Sequence, residues 1–171
     1  MQKRFIVGSI AASVLAGVGI GVGITAQAQN APALAPPAAA PKDKAGFYSF
    51  IESQAIWKDL EKQQVINKRV AEGGAFSINV RIVKETDAPL IHGGSADVWV
   101  VQEGTATAVT GGRIPDAQKR GATDDYAGKE IIGGVEQKVS RGDIVFVPKG
   151  VPHAFKDLKG FHAYLIRFDT P

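Results

Sequence analysis

An all-β fold, a double-sheet jelly-roll barrel preceded by one short helix, is predicted by three observations. Apolar residues alternate with period two, as in Phe76, Ile78, Val80 and Ile82 against Ser77, Asn79, Arg81 and Val83, which is the pattern of strands with two unlike faces. Glycine-bearing turn signals recur at short intervals: Gly73-Gly74, Glu103-Gly104, Gly111-Gly112, Gly133-Gly134, Arg141-Gly142 and Lys159-Gly160. A single stretch near the N-terminus carries helical spacing, and short strands punctuated by such turns suit a jelly roll.

Taken in chain order, Met1 to Ala28 read as a signal peptide. Lys3 and Arg4 form a positive start, Phe5 to Ile24 is an uncharged apolar run, and Ala26-Gln27-Ala28 is a small-residue cleavage pattern. Cleavage places the mature chain in the periplasm or outside the cell; retention of the apolar run would make it an inner-membrane anchor instead. Residues 29–44 (QNAPALAPPAAAPKDK) are Ala- and Pro-rich with no periodic apolar face, and are expected to form an extended linker to a folded domain over 45–171. Ser49 and Glu52 have capping-box spacing, with Ile51, Ala55, Ile56 and Leu60 following at helical intervals. This helix is expected across one end of the barrel or against a second protomer. Strands follow over 76–82, 97–102, 105–109, 134–139, 144–147 and 162–168. The polar segment 113–129 (RIPDAQKRGATDDYAGK) is either a ligand-reading lid or a solvated insertion.

The most informative stretch is GDIVFVPKGVPHAFKD, 142–157. An apolar strand, Ile144 to Val147, runs into a corner where Pro148 fixes φ, Gly150 allows φ > 0 and Pro152 biases Val151 toward extended geometry, so the next strand begins with His153 aimed in one direction. The spacing Gly142, Pro148, Gly150, His153 resembles the second motif of the cupin superfamily, G(X)5PXG(X)2H(X)3N, with Asp157 at its last position. Upstream, 88–112 resembles the first motif, G(X)5HXH(X)3-4E(X)6G: from Gly104, counting back puts Asp97 at the Glu and His92 at the second His, with Leu90 at the first His and Lys84 at the opening Gly. The resemblance covers roughly 75–168 and implies the double-stranded β-helix barrel of cupins, commonly as a homodimer.

It also implies a metal site. In cupins the motif histidines and Glu converge on one divalent ion, and the residues carried over here are His92, Asp97 and His153, since Leu90 cannot coordinate. Two imidazoles and a carboxylate suit Fe, Mn, Ni or Zn with positions left open for substrate. Asp for Glu shortens the reach by about 1.5 Å, so Asp97 either misses the ion or binds it through a water. On the last strand His162, Tyr164, Ile166 and Phe168 share one face and Phe161, Ala163, Leu165 and Arg167 the other. If the first face is inward, His162 replaces the missing ligand or serves as a general acid/base, and Tyr164 donates to a substrate oxygen. Trp99, two residues beyond Asp97, is either a ligand-lining ring or core. Arg81 grips a carboxylate if inward and is solvated if outward.

Composition narrows the function. The 171-residue chain has no Cys, so no disulfide framework, thiolate ligand or Cys nucleophile is available. Loss of Lys3 and Arg4 with the leader takes the 20 basic residues to 18 against 17 acidic ones, close to neutral. No basic stripe interleaved with aromatics is present, which speaks against nucleic-acid binding, and no membrane insertion is expected once the leader is cleaved. No serine sits in an elbow-like turn. Two functions are expected: a metal-dependent isomerase, lyase or dioxygenase acting on a small oxygenated molecule, or a non-catalytic small-molecule or metal binder.

Overall fold

The structure, a computed structural model, describes residues 38–171. The expected leader and the first part of the expected linker lie outside them. Among the described residues no helix is long and apolar enough to cross a membrane.

The elements are α1 (Phe50–Gln63), β1 (Asn67–Glu72), β2 (Phe76–Ile82), β3 (Leu90–His92), β4 (Ser95–Thr110), β5 (Gln118–Lys119), β6 (Asp125–Ala127), β7 (Val135–Ser140), β8 (Ile144–Val147) and β9 (His153–Asp169). All named strand pairs are antiparallel, and the architecture is the predicted jelly-roll β-barrel with one short helix. Its spine is the ladder of the two longest strands, β4 and β9, paired from Ser95↔Asp169 to Thr110↔His153. The first half of β4 also pairs with β8, and the second half with β7. Strand β9 continues to β2 and β1 from its C-terminal half, and to β3 and the β5–β6 hairpin from its N-terminal end.

Where separate strands were expected on either side of Glu103-Gly104 and of Lys159-Gly160, the chain bends without reversing. The β4–β9 register slips between Val101 and Thr107. Gly104 has φ +72°, and a Cβ on it would lie 2.1 Å from the Lys159 carbonyl oxygen. Only a residue without a side chain lets the two bends cross so closely. Folding over at this point brings Trp99, Val101, Ala163 and Leu165 of one half against Ala106, Ala108, Val139 and Phe155 of the other, in one buried apolar cluster.

The helix has the expected start. Ser49 Oγ accepts from the Glu52 amide at 3.1 Å and the Glu52 carboxylate accepts from the Ser49 amide at 3.3 Å, while Gln64 closes the other end at φ 56°. It lies on the outer face of β2 and β1, and not across an end of the barrel. Trp57 and Leu60, almost fully buried, pack on Val80 and Ile82, and the Trp57 indole donates to the Arg81 carbonyl at 3.1 Å. Ile51, expected on the buried face, is exposed. The apolar alternation of β2 therefore faces the helix, and its polar residues Ser77, Asn79 and Arg81 face a cavity inside the barrel. The fold also begins earlier than expected: Ala40 donates to Glu72 O at 2.8 Å and Glu72 to Ala38 O at 3.0 Å, so the end of the linker pairs along β1.

Candidate metal centre

Three strands bring the site together. His92 ends β3, Asp97 lies near the start of β4, and His153 opens β9. The Pro-Gly corner holds two of them in fixed relation, because the Gly150 amide, at φ +78°, donates to the His92 carbonyl at 2.8 Å. Strand β6, within the segment 113–129, pairs with β3 so that Asp125 stands opposite His92. That segment is an ordered hairpin that supplies a side chain to the site.

His92, Asp97 and His153 are all buried, and Asp97 is only 1% exposed. Their ligand atoms lie within 4.8 Å of one another. His92 Nε2 is 3.6 Å and His153 Nε2 3.7 Å from Asp97 Oδ2. Asp125 Oδ1 accepts from His92 Nδ1 at 2.9 Å, and the Val151 carbonyl accepts from His153 Nδ1 at 3.2 Å. With both Nδ1 protons committed outward, both Nε2 lone pairs face the centre.

A cation already reaches this centre. The Arg167 guanidinium forks onto Asp97, with Nε donating to Oδ1 at 2.7 Å and Nη2 to Oδ2 at 2.8 Å, and Nη2 lies 2.7 Å from His92 Nε2. A guanidinium cannot accept, so His92 Nε2 accepts here. Burial opposes the charge on Arg167, but the hydrogen bonds and attraction of Asp97 outweigh it and raise its pKa. Asp125 is held below the usual carboxylate range: burial opposes ionisation, and the His92 hydrogen bond prevails. Burial drives His153 the other way, down to about 4, with the Val151 carbonyl and Asp97 only partly offsetting it.

The donor set fits a divalent metal. His153 Nε2 is buried with no hydrogen-bond partner, a costly arrangement for a neutral imidazole that faces a carboxylate and a second imidazole. The Asp125–His92 and Val151–His153 hydrogen bonds are the outer-sphere contacts that orient histidine ligands. A metal taking His92 Nε2 competes with Arg167 for its one lone pair, whereas each Asp97 oxygen keeps a lone pair beyond the one that Arg167 takes.

The remaining candidates are placed as follows. His162 and Tyr164 lie on the outward face of β9; the inward face is Phe161, Ala163, Leu165 and Arg167. His162 stacks on Trp57 at 5.3 Å and 8°, with Glu103 at 3.2 Å and Glu61 at 3.0 Å, while Tyr164 packs beside Trp57. The condition attached to both is not met, and neither reaches the triad. Trp99 is core: its ring packs edge-on to Phe155 at 4.8 Å within the apolar cluster. Leu90 lines the cavity opposite His153 without a ligand atom. Arg81 is inward. Arg167 and Asp125 were not singled out as site residues. The signal for Arg167 was a lone charge on a face otherwise made of Phe161, Ala163 and Leu165. Asp125, in a polar insertion, gave none.

A cavity of about 850 Å³ reaches the triad at His92 and is lined also by Arg167 and by residues of β1, β2 and the β5–β6 hairpin.

No protein-family model and no curated protein matches the chain. Among solved structures it is similar to a Bacillus halodurans protein (12% identity, TM-score 0.47, covering 77% of this chain and 86% of that one). It is also similar to a cupin-2 domain protein of Shewanella frigidimarina (17%, 0.41, covering 58% and 76%) and to hydroquinone 1,2-dioxygenase of a Sphingomonas species (15%, 0.44, covering 61% and 65%). The two motifs that resemble those of cupins close on one buried site inside a jelly-roll barrel.

Proposed function

We propose that this protein is an exported cupin whose His92, Asp97 and His153 hold a divalent metal (iron, manganese, nickel or zinc) and which acts on a small oxygenated molecule by isomerase-, lyase- or dioxygenase-type chemistry. The observation that carries the reading is His153, whose Nε2 is buried, unpartnered and turned toward Asp97 and His92. Bound there, a divalent metal supplies Lewis-acid polarisation of a substrate oxygen or, for iron, a redox centre. The chain's own residues fix the ligands: Asp125 and Val151 set the imidazole tautomers, and Arg167 Nη2 must leave His92 Nε2 for that nitrogen to ligate. Arg167 also lines the cavity, where its guanidinium suits an oxygen-bearing ligand.

Export is proposed on Lys3, Arg4, the apolar run 5–24 and Ala26-Gln27-Ala28. A homodimer is supported by Ile144 and Phe146, exposed at 67% and 57% on β8, and sedimentation equilibrium tests it.

The second reading, a non-catalytic binder, is favoured by Arg167 itself, which satisfies Asp97 and His92 with a cation from the chain. Elemental analysis of untagged protein tests the metal on which the first reading depends. Near-stoichiometric metal in the wild type, absent from His153→Ala, and tighter binding in Arg167→Met support the metal reading. An absence of metal after reconstitution, in the wild type and in Arg167→Met alike, leaves the binder.

A further inference from the structure

The geometry points to a carboxylate-binding site in the cavity, in which Arg81 and Arg120 receive the acid group of a small organic anion while its carbon skeleton lies against Leu90 and Leu165. The inference deepens the small-molecule reading above and rests on it. Arg81 projects from β2 into the cavity, and of its five N–H donors one meets an acceptor side chain, Asp87 Oδ2, at a long 3.3 Å. Its Nε is buried with no partner. Arg120, at the turn of the β5–β6 hairpin, lines the same cavity. Among the described residues Arg69, Arg81 and Arg167 each hold a carboxylate, whereas Arg120 forms no ion pair.

The carboxylates that line the cavity are already engaged. Asp87 holds Arg81 and the Lys84 amide, and Asp125 holds His92 and Thr123. What remains open is positive: the guanidinium of Arg120 and the unused donors of Arg81. Burial lowers the pKa of Arg81, Asp87 counters it, and Arg167 and Arg120 repel it, so Arg81 feels both of the other guanidiniums that line the cavity. An anion placed beside Arg81 relieves that repulsion and fills the Nε donor that burial has cut off from water. A planar carboxylate suits two forked donors, and the volume of about 850 Å³ is that of a small-molecule site. Leu90 and Leu165 line the same cavity and give a carbon skeleton apolar contact that an inorganic oxyanion cannot use.

Calorimetric titration of the full, untagged chain with benzoate and succinate tests this, against their neutral amides, benzamide and succinamide, and against inorganic phosphate. At least one acid is expected to bind, with its amide weaker by tenfold or more. Binding should weaken at least tenfold in Arg81→Met and in Arg120→Ala; the second changes an exposed loop residue and leaves the core untouched. It should persist in His153→Ala, which lacks the proposed metal. Equal binding of acid and amide, unchanged affinity in Arg120→Ala, binding of phosphate alone, or binding of neither acid overturns the proposal. Metal content measured on the same samples keeps the two ideas apart. Acid binding by wild-type protein that takes up no metal on reconstitution sinks the metal reading alone, and metal-loaded protein that ignores both acids sinks the carboxylate site alone.

Discussion

Two histidines on β9, nine positions apart, are treated in opposite ways. His162 faces outward under the helix, its ring flat on Trp57 and its nitrogens facing the carboxylates of Glu103 and Glu61. His153 faces inward, where Val151 takes its Nδ1 proton and nothing within the described residues takes its Nε2. One imidazole is spent on holding the helix to the sheet. The other is kept neutral and unspent beside a buried carboxylate, and a fold that retains such a group gains nothing in stability from it. The difference separates a packing histidine from a ligand more cleanly than burial does, since both are largely enclosed.

Large truncations break this comparison most forcefully. Trp57→Ala removes the ring under His162 and should cost about 3–5 kcal/mol in urea unfolding, with metal content per folded molecule unchanged; a loss of metal would show that the two faces of β9 are not independent. Asp97→Ala strands the Arg167 guanidinium and should cost a comparable amount, about 3–5 kcal/mol, but with the metal lost as well. Acidification comes next. Since His153 titrates at about 4 when folded against 6.5 ordinarily, the unfolded chain binds the extra proton between those values. Metal-free protein should therefore keep this contribution above pH 6.5 and lose on the order of 3 kcal/mol as the pH falls to about 4. His153→Phe should flatten that part of the stability profile, and an unchanged slope would assign it to other groups. Ser49→Ala, which undoes the cap at the start of the helix, should cost about 1 kcal/mol. The smallest effect is His162→Phe, which keeps the stack on Trp57 and gives up only contacts to half-exposed carboxylates, within about 1 kcal/mol in the same unfolding assay.

The turn motif and the histidine it aims were legible because Pro148, Gly150 and Pro152 act locally, through backbone geometry that no tertiary context overrides. The helix start at Ser49 and Glu52 was legible for the same reason. The bends at Gly104 and Gly160 were misread as reversals, because a glycine at positive φ serves a turn and a bulge alike, and only the strand lying opposite decides which forms. The inward face of β9 stayed open in the sequence. Both faces carry aromatic and aliphatic residues, and the polar members of the two sets, His162 and Arg167, change places between core and surface according to what the helix covers. In β2 alternation was visible but its sense was not: the apolar set belongs to the helix, and the polar set, Ser77, Asn79 and Arg81, lines the interior. Asp125 is beyond any local reading, because its role depends on β6 pairing with β3 across more than thirty residues of chain.

Strand β9 follows every other described element, yet it pairs with β2, β3 and β4 and supplies both His153 and Arg167. During synthesis β2 and β4 therefore emerge before the strand they both pair with along most of their length, and long-range pairing of this kind is slow to form. The barrel is a door whose latch is made last: a chain cut short anywhere before Asp169 loses pairs from the ladder, and one cut before His153 holds neither barrel nor site.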